Sequence, residues 1–148
     1  MNEGSDYIKK SLIRFLGYFF YIILIGYIVF RGTEYQKYLE KIKLQTFNAF
    51  PEFIFMAIFS IAIGVLLAIP NLYTNLKKPG EWSLDWIKLT AIGLPTLYIA
   101  IFPTKYFLSI GKYIPDTIGN IMLMHSLFPQ SLSGVIFGYS LVSAIAKR

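Results

Sequence analysis

Few side chains here could do chemistry. His125 is the single histidine; it follows Met122 and Met124 and precedes Ser126. An imidazole can act as a general base, and Ser126 or Ser131 with His125 and Asp116 would supply the members of a serine triad. The setting for that nucleophile is missing, because neither serine lies in a Gly-x-Ser-x-Gly turn. His125 and Asp116 are the candidate catalytic residues, set against a plainer reading of His125 as an interfacial or helix-bonding residue. A metal centre needs several converging His, Cys or carboxylate ligands. With one His, no Cys, and neither Glu52 nor Asp116 placed beside His125 by sequence, no metal site is expected. No phosphate loop, dinucleotide fingerprint or kinase signature occurs, so no cofactor is expected either.

The elements that must position these residues are apolar. Of the 148 residues 55% are hydrophobic and 15% charged, and mean hydropathy is +0.56; a soluble domain carries about 25% charged residues. Thirteen Phe and eleven Tyr add more apolar surface than a small soluble core can hide. Lipid is the expected solvent. The net charge of +6 is spread over the ends of apolar stretches, where Lys and Arg meet headgroups. That placement, with no nucleic-acid motif, argues against nucleic acid as a partner.

Four spans are expected. Residues 12–30 include sixteen charge-free residues from Phe15 to Phe30, with Arg14 able to snorkel to an interface. No small-x-small cleavage site follows, so a retained helix is expected there. Residues 34–48 are imperfectly amphipathic and read as an interfacial helix. The span at 53–69 opens with Pro51 and Glu52, which suit a first turn, and Pro70 and Asn71 should stop it. Trp82 and Trp86 then mark a membrane–water interface. The span at 87–102 holds Lys88, which must snorkel, and Pro95, which should kink it and free the carbonyl of Ala91 for another donor such as Thr90 or Thr96. Residues 104–128 read as interfacial or half-inserted. Pro129 is a second hinge, and the fourth span covers 130–146.

No carboxylate falls in mid-span, which argues against an acidic proton relay or a paired-carboxylate metal enzyme. Arg14, Glu52 and Lys88 all lie near span ends, where snorkelling and dipole pairing account for them. The sharper signal is packing. At about 100° per residue, Ser131, Gly134, Gly138, Val142 and Ile145 share one face of the last helix, and Ser133, Phe137, Ser140 and Ala144 share the opposite one. Small residues let helices approach closely, which is the use of the Gly-x-x-x-Gly spacing. Two such faces suggest two neighbours, one internal and one in a second protomer or another subunit; the glycine spacing alone is common in membrane spans and favours an intramolecular contact over dimerisation.

The expected architecture is one all-α integral membrane domain over residues 1–148, with lipids and another membrane protein or a second copy as partners. Eight Lys and Arg fall on the side of the termini and six on the other, which places both termini in the cytoplasm of a plasma membrane. The expected role is that of an accessory, assembly or regulatory subunit acting through helix contacts. An oligomeric channel or transporter is the alternative, and a lipid-modifying enzyme using His125 the third reading.

Overall fold

A computed structural model describes residues 3–77, 79–107 and 128–147. Asp116, His125 and most of the expected interfacial segment 104–128 lie outside the described residues. The chain forms two compact units, Met1–Tyr35 and Gln36–Arg148.

Helix α1, Glu3–Thr46, supplies all of the first unit and continues into the second. Within the first unit its apolar run is unbroken by Gly17 and Gly26. Phe15 and Phe19 stack at 6.2 Å, and Phe19 meets Phe20 edge-on at 6.1 Å. The passage to polar sequence happens inside the helix: the Thr33 hydroxyl donates to the Phe30 carbonyl, and Arg31 pairs with Glu34 at 2.9 Å. Residues 34–46 are therefore not a separate short helix as expected, but the last third of α1. Their composition explains it, since Gln, Lys, Leu and Glu are strong helix formers with no proline among them.

In the second unit, α1 stops at Phe47, whose φ of 54° is left-handed. The Asn48 side-chain oxygen then accepts the Phe50 N–H at 3.1 Å, starting α2, Phe50–Leu76. Pro51 and Glu52 fall in its first turn as expected. The helix does not stop at Pro70, which lies inside it; beyond the proline the Thr74 hydroxyl returns to the Asn71 carbonyl, and Lys77 lies over the Tyr73 ring at 4.2 Å.

Strand β1, Trp82–Leu84, pairs antiparallel with β2, Ile145–Lys147, putting Ser83 opposite Ala146. This small ribbon was not expected; it takes residues 145 and 146 out of the last helix. After β1 the chain runs through α3, Trp86–Lys88, a π turn, Leu89–Gly93, and α4, Leu94–Ile101, into a 3-10 turn, Phe102–Phe107. Asp85 starts it as N-cap, its carboxylate accepting the Lys88 N–H at 3.1 Å. The π turn lies just before Pro95, and its wider i→i+5 spacing gives the ring room where an α turn would clash. The last described helix is α5, Phe128–Ser143, with Pro129 in its first turn.

The order of contacts gives the directions. Along α5, Gln130 lies by Phe53, Gly134 by Ser60 and Gly138 by Val65, so α2 and α5 are parallel. Along the third stretch, Ala100 lies by Gln130, Gly93 by Phe137 and Lys88 by Ser143, so it runs antiparallel to α5. The second unit has α5 at its centre, between α2 and the α3–α4 stretch.

Candidate functional site

The glycines of α5 meet α2. A Cβ added at Gly138 would collide with the Ile61 carbonyl oxygen and stand 2.9 Å from the Val65 nitrogen. One at Gly134 would collide with the Ser60 hydroxyl and stand 2.8 Å from its Cβ. Across the seam, a Cβ at Gly64 would collide with the Val135 carbonyl and stand 2.9 Å from the Tyr139 nitrogen. Backbone lies against backbone here, which only residues without side chains permit. Ser60 keeps itself small by donating to the Ala57 carbonyl of its own helix at 3.0 Å. Ser60 and Gly64 were missed in the sequence, although their spacing of four repeats the small-x-x-x-small pattern of α5.

The opposite face of α5 is also met within the chain. Ser133, Ser140 and Ala144 are buried, and Phe137 lies beside Gly93 of the π turn. The buried hydroxyls turn back onto their own helix, Ser140 to the Phe137 carbonyl and Ser143 to the Ser140 carbonyl. Both faces of α5, with Gly134, Gly138 and Val142 on one and Ser133, Ser140 and Ala144 on the other, are met within the same chain. Ser131 is half-buried.

Each end of this three-helix unit carries a polar knot. At one end Gln130 is 3% exposed. Its amide nitrogen donates to the Phe53 carbonyl at 3.2 Å and the Ala100 carbonyl at 3.1 Å, tying three helices together. The need is local: in the 3-10 register that follows α4, the carbonyl of Ala100 faces residue 103, and Pro103 has no N–H to give. Close by in sequence, Glu52 is 3% exposed, and Lys43 from the tail of α1 stands 2.7 Å from its carboxylate. The buried Glu52 carboxylate would be costly to leave without this partner.

At the other end, the Lys88 ammonium reaches the Ser143 carbonyl at 3.5 Å, and the Asp85 N–H donates to the Ala144 carbonyl at 2.9 Å. The Lys88 charge thus sits at the carbonyls that end α5. Trp82 and Trp86 are both exposed at this end. Arg14 and Pro95 are exposed, and Pro129 is half-buried. Thr90 and Thr96 do not serve the Ala91 carbonyl: Thr90 donates to Trp86 and Ile87, and Thr96 to Ile92 and Gly93. Among the described residues no three His, Asp or Glu side chains gather to hold a metal ion.

Three helices, Ile8–Thr46, Phe50–Leu76 and Trp86–Thr104, are long and apolar enough to cross a membrane. With the exposed apolar side chains and charged ends, they make this a helical membrane protein. No protein-family model, curated protein or solved structure matches the chain.

Proposed function

We propose that this protein is an accessory, assembly or regulatory subunit of a membrane, and that α1 is the helix through which it meets its partner. The observation that carries this reading is the pair Gly17 and Gly26. A Cβ added at either would meet nothing within 4 Å, unlike the crowded glycines of the seam. Glycine in a helix interior costs about 1 kcal/mol relative to alanine, and no described residue of the first unit uses the space these two leave. Around them Phe15, Tyr18, Phe20, Ile22, Leu24 and Tyr27 are each at least half exposed. At 100° per residue these side chains fall in two opposed sectors of about 60° each, with Gly17 at the edge of one and Gly26, on the opposite face, at the edge of the other. Glycine notches among large aromatics suit close approach by another membrane helix.

In this reading α5 is a fourth span. Its 16 residues cover about 24 Å, and it accompanies the third span from Ala100 to Asp85. The third span bends at its π turn beside Pro95, and both termini lie in the cytoplasm of a plasma membrane.

The chain has no cysteine, which makes the test clean. Gly17→Cys and Gly26→Cys, oxidised in native membranes, should each yield a disulfide- or bismaleimide-linked product with a second copy or another membrane protein. Gly17→Ile and Gly26→Ile should lose co-purification of that partner while far-UV circular dichroism stays unchanged. Absence of any crosslink together with unchanged behaviour of the isoleucine variants would overturn the proposal.

A further inference from the structure

The turn that joins α1 to α2 is strained, and its own residues do little to offset the strain. Phe47 holds a φ of 54°, the only positive φ of a non-glycine among the described residues. A side chain makes that region costly, and a ring 94% exposed gains no packing in return. The hydrogen bonds of the turn are local and exposed. The Thr46 hydroxyl donates to the Ile42 carbonyl at 2.8 Å and accepts the Asn48 N–H at 3.4 Å, and the Asn48 side chain accepts the Phe50 N–H at 3.1 Å. Such bonds largely replace bonds to water. A strained residue persists only where its surroundings over-determine it. We propose that the determining tie is the Lys43–Glu52 pair, a clasp that holds Phe47 left-handed and so fixes the angle between the tail of α1 and α2.

Lys43 precedes Phe47 by four residues and Glu52 follows it by five, so the pair closes the chain across the turn. Its two ends are unequally buried: the Lys43 side chain is 31% exposed and that of Glu52 3%. The lysine has water as an alternative and the carboxylate in its place does not. It is therefore the tail of α1 that must come to Glu52. The oxygen that Lys43 approaches at 2.7 Å, Oε2, accepts no hydrogen bond from any other group, so no second donor stands in for the ammonium. Leu39 is buried and Ile42 half-buried on the same tail, but apolar contact is non-directional and does not fix a register. A charge-assisted contact at 2.7 Å does. Strain at one residue is thus held by charge at two others, and the two effects are coupled.

Spin-label distances in the full-length protein, reconstituted in lipid nanodiscs, test the clasp. With no native cysteine, Lys37→Cys and Lys77→Cys place one label on the tail of α1 and one at the far end of α2, both at exposed positions. The parent should give a single narrow distance distribution. Glu52→Gln should broaden it, and Lys43→Met should broaden it more, because that change leaves a carboxylate buried without its counter-charge. Phe47→Asn supplies the second arm, since asparagine is several-fold enriched in left-handed backbone. Added to Glu52→Gln, it should raise the population at the parent distance about threefold relative to the rest. A second label pair, Lys77→Cys with Phe128→Cys, spans α2 and α5 and should stay unchanged in every variant. Distances that ignore both Glu52→Gln and Lys43→Met would overturn the clasp, and so would a Phe47→Asn that recovers nothing. Broadening of the α2–α5 pair along with the first would overturn it too, for the bundle and not the turn would then have given way. None of these readouts involves Gly17 or Gly26, so the partner reading stands or falls separately.

Discussion

A glycine in a membrane helix is a statement about what comes near it, and this chain holds both kinds. Gly134 and Gly138 look alike in sequence but face different obstacles. The atoms in front of Gly134 belong first to the Ser60 side chain, while those in front of Gly138 are the backbone of Ile61 and Val65. A serine can be trimmed and a backbone cannot. Gly134→Ala should therefore cost about 1–3 kcal/mol, as overpacking does, and Ser60→Gly should recover most of that loss. Gly138→Ala should cost at least as much, with no recovery from the same second change. Unfolding by sodium dodecyl sulfate in mixed micelles, followed by circular dichroism, measures all four variants. The glycine spacing of α5 was legible in the sequence because it is periodic. What faces it was not, because nothing local in Ser60 or Gly64 says which distant helix lies opposite. Gln130 was hidden for another reason: its task comes from the missing N–H of Pro103, a residue of a different element.

At the scale of elements, the apolar run of α2 could be read directly, and so could the first-turn roles of Pro51 and Glu52. Helix ends were harder. Pro70 reads as a stop, yet the helix continues to Leu76, since a proline removes one donor without forbidding the residues after it from helical geometry. The end of α1 shows the reverse case. No glycine or proline announces it, and the chain turns by placing Phe47 in left-handed conformation with its ring 94% exposed. Phe47→Gly should relieve that strain and lose little packing. A gain of about 0.5–1 kcal/mol is expected, read as a higher midpoint in thermal unfolding in detergent. The ribbon of β1 and β2 had no signal, for three residues per strand are too few to show a period of two, and each half reads more naturally as the flank of a helix.

For the whole molecule, the tail of α1 and the end of α2 carry the orientation. The proposed orientation, with both termini cytoplasmic, requires the turn at Phe47 to face outward and the far end of α2 inward. Phe47→Cys should react with a membrane-impermeant maleimide in intact cells, whereas Asn75→Cys should react only after permeabilisation. The opposite pattern would invert the topology without disturbing the fold. The general class of the protein was legible at this scale, because composition and span length depend on the solvent and not on which helix touches which. The α1 glycines were passed over because they show no short repeat like that of α5, so nothing in the sequence singles them out.

The parallel pairing of α2 with α5 also has a consequence in time. Gln130 and Phe53, the first contact of that pair, are separated by 77 residues. At roughly 5–20 residues per second, a ribosome needs about 4–15 seconds to cover that interval. During those seconds α2 is already made while the helix that fills its Ser60–Gly64 groove is still unsynthesised. Nascent chains stalled before residue 128 should present that groove to whatever membrane helix drifts past, so a closely fitted seam of the finished protein stands open for seconds during manufacture.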